Sequence, residues 1–295
     1  MKEFKSGFVA VLGRPNVGKS TLLNTIVGQK IAIATDKAQT TRKRIKGIYT
    51  NKQGQIVFID TPGIHKPLDK LGEFLMDEAK DAIPDADLIL FIVDASEPAG
   101  AGDKWIVENL LKKTNIPIII VLNKVDKLKD PLKKEQNIIT YKTLFETNLP
   151  TARISAQTGR NIDTLISTIM RKLPEGPPIY DEDDLTDESM RSIAQEIIRE
   201  KILKNTKDEI PHSVAVLIEK YEEKEDIDRI FATIHVEHES QKGIMIGKKG
   251  QMLKIIGTQA RIELEKMLDK KVYLELKVKV SKDWRKKTPD LENWV

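Results

Sequence analysis

A glycine-rich segment near the start of the chain has the residue types and spacing of a phosphate-binding loop. Residues 13–20 read Gly-Arg-Pro-Asn-Val-Gly-Lys-Ser and fit the pattern G-x-x-x-x-G-K-[ST] between an apolar run and a helical pattern. In such a loop the backbone N–H groups point at phosphate oxygens, the lysine reaches the β- and γ-phosphates, and the serine hydroxyl binds Mg²⁺. We therefore predict a nucleotide-phosphate site formed by Gly13, Asn16, Val17, Gly18, Lys19, Ser20 and Thr21.

Three more segments at the ends of apolar runs supply groups for a nucleotide. Residues 60–63 read Asp-Thr-Pro-Gly, so Asp60 can hold Mg²⁺ through a water and the Gly63 N–H can contact the γ-phosphate. Residues 123–126 read Asn-Lys-Val-Asp, and a carboxylate there accepts two hydrogen bonds that guanine offers and adenine does not. Residues 155–157 suit a backbone contact to the guanine carbonyl. The predicted base site is Asn123, Lys124, Asp126, Ser155, Ala156 and Gln157.

The elements that must position these motifs alternate along the first 173 residues. Apolar runs at 7–13, 55–60, 86–96, 116–124 and 151–155 are interleaved with helical patterns near 70–82, 103–114, 131–147 and 161–172. Uninterrupted apolar strands alternating with helices predict an α/β domain whose mostly parallel sheet is covered on both faces. Ligands of such sheets bind beyond the carboxyl ends of the strands, where the motifs fall.

The order and spacing of these motifs resemble the Era branch of P-loop GTPases over residues 1–173. The resemblance implies hydrolysis of GTP to GDP and phosphate, with Lys19, Asn16, Thr41 and Gly63 as the catalytic set. Ile64 stands where Ras-like enzymes carry the glutamine that orients the attacking water, so slow intrinsic turnover is expected. Asn16 resembles a residue that helps to hold a potassium ion in related GTPases, which makes potassium stimulation a hypothesis.

The segment 37–42, Lys-Ala-Gln-Thr-Thr-Arg, resembles the switch I of translation-factor-type GTPases, whose threonine closes over Mg²⁺. Thr41 is the chosen ligand because it directly precedes Arg42, and Thr40 remains an alternative. The expected metal ligands are therefore Ser20, Thr41 and Asp60, the last through water.

Prolines, a glycine and an acidic run at 174–188 break both helix and strand, so we predict a linker there and a second domain over 189–287. The acidic run is expected to be a solvated connector. The second half has the predicted order helix, strand, strand, helix–turn–helix, strand, and resembles a type II KH domain over about 203–281. Its turn, Gly247-Lys248-Lys249-Gly250, is a G-x-x-G loop of the kind that clamps an RNA backbone. Trp284 could stack on a base or cover the sheet edge.

Charge favours nucleic acid as the partner of this second half. Residues 242–287 hold 14 Lys and Arg against 5 Asp and Glu, although the whole chain carries a formal net charge of only +4. Such a local basic surface is typical of nucleic-acid binding. Membrane association through basic amphipathic helices such as 254–271 is a weaker reading of the same charge.

Composition bounds the remaining possibilities. The chain has no cysteine, which excludes disulfides and fits a reducing compartment, and no apolar run long enough to span a bilayer. We expect a cytoplasmic monomer, at most peripheral to the inner face of the cell membrane, with GTP or GDP and Mg²⁺ as cofactors and no DNA partner.

The family resemblance supplies the expected function: a GTP-controlled switch that binds the 3′ end of 16S ribosomal RNA and assists maturation of the small ribosomal subunit. One alternative is a GTPase coupled to another RNA or tRNA processing or modification step, although no second catalytic constellation follows residue 173. Another is an RNA-binding module whose nucleotide site is only structural.

Overall fold

The computed structural model describes residues 4–35, 37, 40–67, 69–127, 129–207 and 210–294. By its internal contacts the chain divides into two units, Met1–Leu68 with Gly72–Asp187, and Asp69–Leu71 with Glu188–Val295. Up to residue 187 the elements are β1 (Lys5–Leu12), α1 (Lys19–Val27), β2 (Ile45–Asn51), β3 (Gly54–Asp60), α2 (Lys70–Lys80), β4 (Leu88–Asp94), α3 (Ala101–Asn109), a 3-10 turn (Leu111–Lys113), β5 (Ile118–Asn123), α4 (Pro131–Lys142), β6 (Thr151–Arg153) and α5 (Ile162–Met170).

A six-stranded sheet of order β2-β3-β1-β4-β5-β6 forms the centre of the first unit. Every strand pair is parallel except β2 with β3. All residues of β3, β4 and β5 are buried, because two separate apolar clusters cover the two faces of the sheet. The predicted mostly parallel α/β sheet is confirmed. The antiparallel edge strand β2 was not predicted.

Residues 174–187, expected to be a solvated linker, instead contact the edge of this sheet. The buried Gln55 side chain accepts hydrogen bonds from the Ile179 and Tyr180 N–H groups at 2.7 and 2.9 Å and donates to the Tyr180 carbonyl at 3.0 Å. Lys46 on β2 donates to Asp187 at 2.7 Å. Because these bonds satisfy the backbone of an irregular segment, 174–187 belongs to the first unit.

The second unit carries a three-stranded sheet of order β7-β8-β9, in which β7 is antiparallel and β9 parallel to β8. The succession of helix, two strands, two helices around a glycine loop and a last strand confirms the predicted KH-type order. The elements are α6 (Met190–Asn205), α7 (Ile210–Ser213), β7 (Ala215–Glu222), β8 (Ile227–Val236), α8 (Glu239–Ile246), α9 (Gln251–Leu268), β9 (Lys271–Val280) and α10 (Thr288–Trp294), with 3-10 turns at Lys248–Gly250 and Trp284–Lys286.

The end of the second unit lies beyond residue 287. Helix α10 was not predicted, and its Trp294 ring stacks on His235 with the ring centroids 4.0 Å apart. Trp284 is fully buried and donates from Nε1 to the Ser213 carbonyl at 3.0 Å. Of the two readings of Trp284, base stacking is therefore wrong, since no face of its ring is open to a base.

No helix among the described residues combines the length and apolar character needed to cross a membrane.

Candidate functional site: a nucleotide cradle and a glycine-lysine loop

The loop 13–18 turns sharply between β1 and α1. Gly18 has φ +99°, and a Cβ placed on it would lie 2.4 Å from the Asn123 side-chain nitrogen. Asn16 adopts the left-handed conformation with φ +63°. The loop therefore requires a glycine at 18 because both the backbone conformation and the neighbouring side chain exclude a Cβ.

Lys19, the first residue of α1, is buried, and its ammonium turns back into the loop. Its Nζ donates to the carbonyls of Gly13 and Arg14 at 3.1 and 3.0 Å. Burial lowers the pKa of Lys19 to about 8, while the charge of Asp60 acts in the opposite direction. At neutral pH the amine is therefore mostly protonated, the state that a phosphate oxygen would bind.

Three oxygen-bearing side chains from three segments meet beside the loop. Ser20 Oγ donates to Asp60 Oδ2 at 2.6 Å and lies 2.9 Å from Thr41 Oγ1, which is itself 3.5 Å from Asp60 Oδ2. The other carboxylate oxygen, Asp60 Oδ1, is buried with no hydrogen-bond partner among the described residues. Mg²⁺ prefers such hydroxyl and carboxylate oxygens, so this set fits the ion.

The Asp60 carboxyl is ionisable in this setting. Burial raises its pKa to about 6, while Lys19 and the hydrogen bonds from Ser20 and Thr41 oppose that shift. The group is therefore mostly a carboxylate at neutral pH, as a cation site requires.

The structure separates the two threonines that the sequence left open. Thr40 Oγ1 donates to the Lys37 carbonyl at 2.6 Å and lies 2.7 Å from Thr35 Oγ1, within its own loop. Thr41, which is 5% exposed, faces Ser20 and Asp60 instead. Geometry thus favours Thr41 as the metal ligand. Residues 38 and 39 of the same segment lie outside the described part of the chain.

A small cavity lies between the loop, residues 33–35, Thr40, Thr41 and Gly63. Its volume is about 50 Å³, and it is lined by Lys19, Ser20 and Thr41, the groups expected to contact phosphate and metal.

Gly63 packs directly on the loop, because a Cβ there would lie 2.7 Å from Pro15 Cα. The next N–H, that of Ile64, donates to the Gly13 carbonyl at 3.1 Å. The Ile64 side chain is 1% exposed and belongs to an apolar cluster of the sheet. It contributes no polar group that could orient a water.

The predicted base site contains two side chains that hold backbone segments together. Asn123 is buried, donates to the Val17 carbonyl at 2.8 Å and accepts from the Ala156 N–H at 2.9 Å. Lys124 donates to the Asn16 carbonyl and to Asp94 Oδ2, both at 2.6 Å. Asn123 and Lys124 hold the phosphate loop at the ends of the strands. Other groups must therefore recognise the base.

Asp126 lies on the turn after β5, and because its side chain is exposed, its carboxylate is accessible to a base. On the last predicted segment, Ser155 is buried and its Oγ accepts from the Thr158 N–H at 3.2 Å. The carbonyl of Ala156 accepts from Thr25 on α1 at 2.8 Å, and Gln157 is exposed. Residues 155–157 therefore lie on the same side of the site as Asn123.

Some residues that shape the site carry no motif. Asp94 ends β4 and is the carboxylate partner of Lys124. Although burial opposes it, the pKa of Asp94 is lowered by hydrogen bonds from Lys124 and Ser96. Its place at a strand end, beside the end of β5, was a signal that could have identified it.

In the second unit, Gly247 and Gly250 flank two exposed lysines between α8 and α9. Both glycines have positive φ, +71° and +77°, and Lys249 also adopts a left-handed conformation with φ +54°. A Cβ on Gly247 would lie 2.8 Å from the Met252 backbone nitrogen, whereas the space around Gly250 is open. The loop therefore presents backbone and two cationic side chains to solvent, which suits a phosphate backbone.

This six-stranded sheet with its phosphate loop and guanine motif defines a P-loop GTP-binding domain, and the second unit defines a KH domain. Comparison with known proteins gives the same division. A family model described as 50S ribosome-binding GTPase matches residues 8–124, and a KH domain model matches residues 209–285.

One relative, GTPase Era of Rippkaea orientalis, is 51% identical over 283 residues, which cover 96% of this chain and 89% of that protein. A crystal structure of an Aquifex aeolicus Era variant bound to GDP.AlF4- is 42% identical, with a TM-score of 0.95 over 99% of both chains. A structure of Era in complex with MgGDPNP and nucleotides 1506-1542 of 16S ribosomal RNA shows the same identity and TM-score, over 99% of this chain and 98% of that one. The chain belongs to the Era family of GTPases, and it is an enzyme that hydrolyses GTP.

Proposed function

We propose that this chain is a GTP-controlled RNA-binding switch that binds the 3′ end of 16S ribosomal RNA and assists maturation of the small ribosomal subunit. The relative bound to nucleotides 1506-1542 of 16S ribosomal RNA supports this RNA as the target. The broader family description names the 50S ribosome instead. We follow the relative that matches almost the whole chain, because the broader model covers only part of the first unit.

The observation that carries the proposal is the meeting of Ser20, Asp60 and Thr41. A hydroxyl from a loop between α1 and β2 reaches the metal set of the phosphate site, so the position of that loop depends on what occupies the site. We assign Ser20 and Thr41 as direct Mg²⁺ ligands and Asp60 as a ligand through water. When bound, the ion neutralises phosphate charge during transfer.

The phosphates are bound by the N–H groups of the loop and α1, over Gly13, Asn16, Val17, Gly18, Lys19, Ser20 and Thr21. Lys19 contacts the β- and γ-phosphates, and the Gly63 N–H contacts the γ-phosphate. Asp126 reads the guanine edge, with Asn123, Lys124 and residues 155–157 shaping its surroundings. Lys19, Asn16, Thr41 and Gly63 form the catalytic set, which acts by positioning and charge stabilisation.

Slow turnover follows from the buried Ile64, because no side chain at that position can orient the attacking water. We further infer that Asn16 contributes to a potassium site beside the phosphates. Its carbonyl accepts a hydrogen bond from Lys124, which fixes the backbone of Asn16 within the loop. Hydrolysis should then be faster in potassium than in sodium buffer, and equal rates in the two buffers would contradict this inference.

We infer that the chain acts as a cytoplasmic monomer on RNA and not on DNA, with a peripheral membrane contact as a competing use of its basic helices. Flotation with anionic lipid vesicles, with and without a competing 16S 3′-end RNA, distinguishes the two. Retention on vesicles in the presence of excess RNA would favour the membrane.

The test of the RNA target is the affinity of a labelled single-stranded RNA with the 16S 3′-end sequence, compared with a scrambled sequence of equal length. We expect the 3′-end sequence to bind more tightly, and a Gly247→Ala/Gly250→Ala double variant to lose that binding, since both positions have positive φ. Gly243→Ala is the matched control, because a Cβ there meets open space in helix α8. Equal affinity for the two RNAs would overturn the 16S target while leaving GTP hydrolysis in place.

A further inference from the structure

Asp103 is a fully buried carboxylate that no nucleotide motif contains. It lies in the first turn of α3, where its Oδ2 accepts from the Gly100 N–H at 2.9 Å. Its Oδ1 lies 2.8 Å from Nε of Arg14, the second residue of the phosphate loop. A helix cap accounts for the first contact. It does not account for the ion pair between this buried carboxylate and Arg14, since buried pairs often contribute little to stability.

Arg14 is held from two directions. Its second guanidinium contact is Glu97 Oε1, 2.6 Å from Nη2, and its side chain lies so close to α3 that a Cβ on Gly102 would be 2.7 Å from Arg14 Cδ. Burial opposes the charge, yet the hydrogen bond to Glu97 and the nearby Asp103 carboxylate raise the pKa of Arg14 above its ordinary value. The Arg14 side chain is therefore a fixed cationic link between the phosphate loop and α3.

The backbone at Arg14 contacts both groups assigned to the γ-phosphate, Lys19 and the Gly63 segment. The Arg14 carbonyl and the Gly13 carbonyl accept from Lys19 Nζ at 3.0 and 3.1 Å. The Gly13 carbonyl also accepts from the Ile64 N–H, which directly follows Gly63. A rotation of this peptide unit would therefore displace the lysine and the Gly63 segment together.

We propose that Asp103 is a positioning residue for GTP hydrolysis, acting through Arg14 to fix the Gly13–Arg14 peptide that orients Lys19 and the Gly63 segment. This inference rests on the phosphate roles assigned above. Misplacing reacting groups by about 1 Å can cost about 100-fold in rate. GDP lacks the γ-phosphate, so the loss of this pair should affect kcat and the affinity for a GTP analogue much more than the affinity for GDP.

The test is Asp103→Asn, which keeps an oxygen acceptor for the Gly100 N–H and removes only the charge. We expect kcat to fall about 10- to 100-fold, while the Kd for GDP changes by less than about threefold. Glu108→Gln is the matched control, because it removes a carboxylate from the same helix α3 at an ion pair with Lys112 that does not contact the phosphate loop and whose glutamate side chain is 60% exposed. Exposed ion pairs contribute little, so this control should retain wild-type kcat.

A double-mutant cycle with Arg14→Gln separates positioning from folding. If the two residues act as one unit, the Arg14→Gln/Asp103→Asn double variant should have the same kcat as either single variant. Arg14→Gln also tests the pair from its more exposed side if Asp103→Asn does not fold. Unchanged kcat in the variants, or equal losses of GDP and GTP-analogue affinity with kcat intact, overturns the proposal. Absence of GTP hydrolysis in the wild-type chain would overturn the assigned phosphate roles instead.

Discussion

Two loops of this protein are built in opposite ways: the nucleotide loop, residues 13–18, and the loop Gly247–Gly250 that we propose binds RNA, called the RNA loop below. Several side chains hold the nucleotide loop in place. The carbonyls of Arg14, Asn16 and Val17 accept hydrogen bonds from lysine and asparagine side chains. In the RNA loop the Gly250 N–H bonds back to the Gly247 carbonyl, and the two lysines between them are exposed.

This difference has consequences for how substitutions act. Groups that share one polar network interact, so their effects on the nucleotide site should be large and non-additive. Exposed lysines separated by solvent act nearly independently, so their effects on RNA binding should be small, additive and dependent on salt.

The largest change is expected in base selectivity. Asp126→Asn replaces the carboxylate that we propose accepts two guanine hydrogen bonds, so it should shift preference from GTP toward XTP by about 10⁴-fold. The measurement is the ratio of kcat/KM for the two nucleotides. Asp130→Asn, at the N-cap of α4, makes the same chemical change nearby and should leave the ratio unaltered. If Asp126→Asn keeps the wild-type ratio, a group other than Asp126 recognises the base.

A smaller but still large loss is expected at the phosphates. Lys19→Ala removes a buried cation from the cradle and should lower kcat about 10²- to 10³-fold. Single-turnover hydrolysis with the protein in excess measures this loss directly. Lys172→Ala, a change to an exposed lysine, is the control. Wild-type single-turnover rates in Lys19→Ala would remove Lys19 from the catalytic set.

The RNA loop should respond in small steps. Each of Lys248→Ala and Lys249→Ala should reduce the slope of log affinity against log salt by about 0.7, the value per phosphate contact on a single strand. Their effects should add in the double variant. Binding measured over a range of salt concentrations gives the slopes. A double variant no weaker than either single one would show that the loop is a coupled site like the nucleotide cradle.

The smallest effect concerns the stability of the second unit. His235 is buried, which lowers its pKa below the ordinary value of 6.5; Lys279 acts in the same direction, and Glu219 and Asp290 oppose it. The unfolded chain therefore takes up this proton at higher pH than the folded chain. Stability contributed by neutral His235 should be present above pH 6.5 and be lost as the pH falls below that value.

Urea unfolding at pH 7.5 and pH 5.5, followed by tryptophan fluorescence in a Trp105→Phe background, measures this effect in the second unit. His235→Gln removes the titrating ring and should flatten the pH dependence. A steeper loss in the variant than in the parent would assign the effect to other groups.

The sequence alone predicted the parts of the molecule that depend on local sequence patterns. Uninterrupted apolar strands predicted the parallel core, and the carboxyl-end rule placed Asp60 and Asn123 on one edge of it. Strand β2 was missed because it pairs at an edge, where Gly47 and polar residues interrupt the apolar run. The turn at 51–54 that joins β2 to β3 was the overlooked signal.

The remaining features depend on contacts between distant segments. Gln55 binds the backbone near Tyr180 across 125 positions, and Arg14 meets Glu97 across 83. No spacing or periodicity encodes such pairs, because they form only when the sheet order brings the segments together. For the same reason, the choice between Thr40 and Thr41 required the position of Asp60.

The central claim is that the nucleotide state controls RNA binding through Thr41. The most direct test is the affinity of the 16S 3′-end RNA for the whole chain with a GTP analogue, with GDP and without nucleotide, in wild type, Thr41→Ala and Thr40→Ala. We predict tighter binding with the analogue than with GDP, by at least about fivefold, in wild type and Thr40→Ala but not in Thr41→Ala. Equal affinity in all nucleotide states of the wild-type chain would contradict the account.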